Sequence, residues 1–103
     1  MPKFLFVYHG GNKPDTPEAV EEVMAKWGAW VGGMGAAAVD PGNPVGMSKT
    51  VASSSVADNG GANPASGYGI VSAASIEEAV KQAKGCPILE AGGTVEVAEI
   101  IEM

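Results

Sequence analysis

Acid-base chemistry has few carriers in this sequence. His9, in the stretch Phe6-Val7-Tyr8-His9-Gly10-Gly11-Asn12, is the only histidine among 103 residues, so any histidine-based proton transfer must pass through it. An aspartate within hydrogen-bond reach would complete a general acid-base pair, and the candidates are Asp58 and Asp40. Lys49 or Tyr68 would then orient an anionic or phenolic substrate, with Asn43 and Trp30 as further ligand contacts. All but Trp30 fall at expected strand ends or in loops, where binding residues concentrate. Each also has a plain alternative: a strand-end histidine bonded to a backbone carbonyl, or an aspartate closing a turn.

Sharper motifs fail on context. His9-Gly10-Gly11 approaches the oxyanion-hole loop of esterases, but such enzymes also need a G-x-S-x-G elbow and a histidine late in the chain. Neither occurs here. Gly33 and Gly35 suggest a dinucleotide fingerprint, yet they follow an expected helix and precede a strand, the reverse of the arrangement that aims helix N–H groups at a pyrophosphate. Cys86 follows a helix C-terminus, where the dipole disfavours a thiolate, so an inert buried thiol is expected. One histidine and no cysteine pair leave only scattered carboxylates, and neither a metal nor a cofactor is implied.

The elements that must position these residues can be read from hydrophobic spacing. Residues 3–9 form an apolar strand with Phe4, Phe6 and Tyr8 on one face and Leu5, Val7 and His9 on the other, which predicts cover on both faces. A helix follows, with Thr16 as N-cap and Pro17 in the first turn. Its buried stripe is Val20, Val23, Met24, Trp27 and Val31, with Trp30 beside it, and Gly32-Gly33 ends it. Residues 36–40 read as a short strand, 48–58 as one weak strand, 59–67 as loop and 67–74 as a small-residue strand. Ser75 and Glu78 form a capping box for a second helix that buries Ile76, Val80 and Ala83 and ends at Gly85. The closing strand alternates Val95 and Val97 with Thr94 and Glu96, then loses phase near Glu99, as at a bulge or a sheet edge.

The order β-α-β, a loop-rich insert, then β-α-β predicts an α+β fold of the ferredoxin-like split β-α-β type, in one domain spanning residues 1–103. If both helices cover one sheet face, the apolar second face calls for a second subunit, and a homodimer stacked sheet to sheet is expected. A net charge of −6 with six Lys plus Arg disfavours nucleic acid and anionic membrane as partners. No apolar run reaches the roughly 20 residues of a membrane span, and the N-terminus lacks a signal-peptide pattern. With a lone cysteine, a cytoplasmic protein is expected.

The stretches "KFLFVYHG", "MAKWGAWVGGMG", "SSSVAD" and "GYGIVSAASIEEAVKQAKGCPILEAGGTVEVAEI" give the chain a resemblance to the YCII-related family, in its DGPF-type branch. The resemblance spans about residues 3–101 and implies a dimeric α+β barrel. It implies a pocket by the first helix where better understood members hold a His-Asp pair; one relative is a dehydrochlorinase acting on a chlorinated hydroxyquinol. The family's helix histidine aligns with Val23 or Met24, which carry no proton. Of the branch's Asp-Gly-Pro-Phe signature only Asp58 is kept, followed by Asn59, Gly60 and Gly61. Two functions remain: a ligand-binding module for a small molecule, or a lyase or isomerase acting through His9 with Asp58 or Asp40.

Overall fold

The computed structural model describes residues 1–58 and 63–103. In chain order its elements are β1 (Lys3–His9), α1 (Pro17–Met34), β2 (Ala38–Asp40), β3 (Lys49–Val51), β4 (Val56–Asp58), β5 (Ala65–Ser72), α2 (Ile76–Ala83) and β6 (Thr94–Glu99). Single 3-10 turns at Gly35–Ala37 and Pro87–Leu89 follow the two helices. This is an α+β architecture. Four strands make one sheet in the order β2-β5-β1-β6, with every neighbouring pair antiparallel. β3 and β4 form a separate hairpin.

The alternation in β1 sets the two faces of the sheet. Phe4, Phe6 and Tyr8 are buried at 2%, 0% and 5% exposure, and both helices pack over them. Across the ladder, Phe6 faces Gly69 and Tyr8 faces Gly67, so the Tyr8 ring lies over backbone that carries no side chain. Trp30 stacks on Phe6 at 6.2 Å, and Trp27 meets Tyr8 edge-on at 5.0 Å. Val71, Ala73, Ala79, Ala83, Cys86 and Ile88 complete the core.

Helix α1 starts as the sequence predicts: Thr16 is its N-cap and the Ala19 N–H donates to Thr16 Oγ1 at 3.1 Å. It ends later than predicted. Gly32 and Gly33 stay helical, and Gly35, at φ 56°, ends the helix by donating its N–H to the Gly32 carbonyl. A positive φ suits glycine because it lacks Cβ. The predicted buried stripe is only half realised. Val20 and Met24 are exposed, while Val23, Trp27 and Val31 are half-buried.

Four further expectations are corrected. The single strand over 48–58 is instead two short strands, because the chain reverses at Ser53-Ser54 and the Ala52 N–H donates to the Ser55 carbonyl at 2.8 Å. Of the loop expected at 59–67, residues 59–62 lie outside the described ones, and Ala65–Gly67 belong to β5. In α2 the buried residues are Ala79 and Ala83, with Ile76 and Val80 more than a third exposed. Small residues on that face let the short helix sit close to the sheet. The Glu78 N–H donates to Ser75 Oγ as expected of a cap, but the Glu78 carboxylate accepts from Lys81 instead of closing the box. β6 loses phase because it is the sheet edge, and its pairing with β1 runs without a bulge.

The hairpin stands apart: all six residues of β3 and β4 are exposed. The molecule measures 43 × 42 × 18 Å, with a radius of gyration of 14.7 Å against about 13 Å for a compact chain of this length.

Candidate functional site

A cleft opens between α1 and the sheet on the helix-covered side. Its floor is Tyr8 with Gly67, its roof is Val23, Met24, Trp27, Gly28 and Val31, and its volume is about 550 Å³. That is within the usual size of small-molecule sites. The far rim is the segment Pro41–Pro44, which runs beside the start of β5. Three bonds fix that rim: Gly42 N–H to Asp40 Oδ1 at 2.8 Å, Tyr68 N–H to Asn43 O at 3.2 Å, and Val45 N–H to Ser66 O at 3.0 Å. Gly42 has φ 71°, and a Cβ there would overlap the Tyr68 carbonyl. Glycine is therefore required at the point where the rim closes on β5.

The floor is apolar with sparse polar groups. Burial pushes the Tyr8 hydroxyl well above the ordinary tyrosine range, aided by the nearby Cys86, so the group stays a neutral donor across the physiological range. Burial likewise pushes the Cys86 thiol up to about 11, which agrees with the inert thiol expected from sequence. Ser66 is the extra residue of a β-bulge between the Tyr8 and His9 register positions. Its Oγ is buried with no hydrogen-bond partner among the described residues.

Of the residues singled out by sequence, Asn43 and Tyr68 border this cleft. Tyr68 pairs with Val7, so strand alternation places its side chain on the opposite sheet face and its backbone at the rim. Asp40 serves as the cap of the rim turn. Trp30 is a core residue: its indole N–H donates to the Gln82 carbonyl at 2.9 Å and its ring packs on Phe6. Both tryptophans pack against the core, and Trp27, expected there, lines the cleft as well, whereas Trp30 does not. Helical spacing does not separate them, because both point toward the sheet and the position of the rim decides which one lines the cleft.

His9 lies on the sheet face away from the helices. Its Nδ1 is 3.1 Å from Asn63 O and 3.3 Å from Pro64 O, and its Nε2 is 3.1 Å from Glu96 Oε1. Both ring nitrogens thus have protein oxygens within hydrogen-bond distance, and the side-chain partner is neither Asp40 nor Asp58. Glu96 was not read as a partner, since only the β1–β6 register, with Val7 opposite Glu96, brings it near. Lys49 and Asp58 pair with each other at 3.0 Å on the exposed hairpin. Among the described residues, no three His, Cys, Asp or Glu side chains cluster as metal ligands. No helix there is long and apolar enough to cross a membrane. Compared with models of known protein families the chain finds no match, and none among curated proteins.

Proposed function

We propose that this chain is a small-molecule binding module. The observation that carries the reading is the apolar cleft between α1 and the sheet, with Tyr8 and Trp27 as aromatic walls and a rim pinned by three hydrogen bonds. Sites of this kind bury most of a ligand against apolar side chains and orient it with a few polar groups. A lyase or isomerase acting through His9 is the second reading. It is the weaker one, since His9 is on the other sheet face, held by Glu96 and two backbone carbonyls.

We also propose the ferredoxin-like split β-α-β fold and a homodimer, in keeping with the resemblance to the YCII-related family. The antiparallel order β2-β5-β1-β6 supports the former. In support of the latter, Leu5, Val7 and Ile70 are apolar side chains on the sheet face that no helix covers. Val23 and Met24, which align with the family's helix histidine, both line the cleft, and their apolar side chains favour binding over proton transfer.

The test fills the cleft from the helix. A side chain at Gly28 would meet nothing within 4 Å, and Gly28 borders the cleft. With 1-anilinonaphthalene-8-sulfonate as probe, the wild type is expected to enhance its fluorescence saturably. Gly28→Leu is expected to abolish that response while keeping or raising the melting temperature. Equal dye binding by the two proteins would refute the cleft as the site. For the dimer, sedimentation at micromolar concentration should give twice the 10.3 kDa chain mass, and a monomer there would overturn it.

A further inference from the structure

The apolar cleft does not end at Ile88. A second cavity of about 450 Å³ shares Val23, Trp27, Pro44, Ser66 and Ile88 with it and continues to the loop Gly10–Pro14. Five shared wall residues set the two cavities side by side, as two compartments of one trough. Its ends differ in chemistry. The inner end is walled by Tyr8, Met24, Gly28 and Val31, while the outer end has Asn12, Lys13 and Glu90 at its lip. Glu90 is already paired, since Lys26 Nζ lies 3.1 Å from its Oε2. Lys13 has no carboxylate within ion-pair distance among the described residues. Lys26 is shared by Glu90 and Glu22, so Lys13 is the cation at the lip that is left without such a pair in a protein of net charge −6. Ser66 lines both cavities, and its buried Oγ has no hydrogen-bond partner among the described residues; an unpaired buried hydroxyl carries a desolvation cost that a ligand atom can remove.

We infer that the trough takes an amphipathic aromatic carboxylic acid, its ring system against the open faces of Tyr8 and Trp27, a polar atom at Ser66 and its carboxylate at Lys13. This rests on the reading of the cleft as a ligand site and adds the ligand's class and polarity. The aromatic preference follows from the walls: Tyr8 and Trp27 meet edge-on at 5.0 Å and both also meet Trp30, a cluster that a ligand ring can extend through offset or edge contacts. The anionic preference follows from charge complementarity at a half-open lip, where a salt-screened ion pair is expected.

The test uses a matched pair of probes, 2-naphthylacetate and the neutral 2-naphthylacetamide, titrated into the full chain and followed by nitrogen-15 correlation spectra. The Trp27 indole N–H resonance should move on binding. That of Trp30, bonded to Gln82 O, should move far less. At low ionic strength the acid is expected to bind about fivefold more tightly than the amide, the scale of an exposed ion pair. Lys13→Met should erase that preference. Ser66→Ala should weaken both probes yet raise the melting temperature of the ligand-free protein, a split that a merely structural serine would not give. If acid and amide bind equally, or Lys13→Met keeps the preference, the anionic end is refuted while the cleft stands. If neither probe moves the Trp27 signal, the binding-module reading fails with it.

Discussion

The C-terminal end of α1 offers a contrast between glycines that differ only in backbone conformation. Gly32 and Gly33 lie inside the helix, and a Cβ at either would meet nothing within 4 Å. Each glycine in a helix costs roughly 0.5–1 kcal/mol relative to alanine, through the conformational entropy of the unfolded chain. The double variant Gly32→Ala/Gly33→Ala should therefore be stabilised by about 1.5 kcal/mol, counting Gly33 at the lower value because it sits in the last turn. Gly35 is equally uncrowded, but its φ is 56° with ψ −128°. A Cβ there conflicts with its own backbone, so Gly35→Ala should lose about 1.5 kcal/mol. An unfolding entropy near 2.1 cal/mol/K per residue gives about 0.22 kcal/mol/K for 103 residues. The melting temperature should thus rise by about 7 °C for the double variant and fall by about 7 °C for Gly35→Ala. Scanning calorimetry of the three proteins at one concentration reads both shifts, which matters if the protein associates. A lower melting point for the double variant would mean that this helix face is packed against something in solution. A rise for Gly35→Ala would refute the left-handed helix end.

The remaining predictions concern alkaline stability and the cleft rim. Burial raises the Cys86 thiol from 9.0 to about 11, so the folded protein retains a proton that the unfolded chain releases above pH 9. The sign is fixed by linkage: this contribution is whole below pH 9 and is lost as pH rises through about 11. Urea midpoints between pH 8 and pH 10.5 should fall less for Cys86→Ala than for the wild type, though Tyr8, raised by the same burial, leaves part of the decline in both. Identical declines would contradict a buried neutral thiol. Gly42→Ala combines a positive φ with overlap on the Tyr68 carbonyl, and a loss of about 3 kcal/mol is expected. Calorimetry reads it as a fall of about 14 °C; a wild-type melting point would show that the rim does not rest on β5.

Local signals in the sequence reached the regular elements and stopped short of the site. The caps at Thr16 and Ser75, the apolar run of β1 and the alternation of β6 depend on neighbours a few residues away, and each is found where spacing puts it. A serine-rich strand and a serine-rich reversal share one composition, so composition does not show the turn at Ser53-Ser54. On the inward face of α2, spacing gives Ala83 correctly, but the approach to the sheet buries Ala79 with it and leaves the larger Ile76 and Val80 more than a third exposed.

The candidate site was legible only in its ingredients. His9 was visible as the sole histidine, but the β1–β6 register alone gives it Glu96 and directs it away from the helices. The division of labour between Trp27 and Trp30 depends on where Pro41–Pro44 lies over β5, a contact between segments more than twenty residues apart. The sequence by itself determined the element types, the α+β class and the scarcity of acid-base groups, because these follow from short-range periodicity and composition. Only the tertiary structure decided which side chains meet, since strand register and loop docking are set by long-range packing that leaves no local period to read.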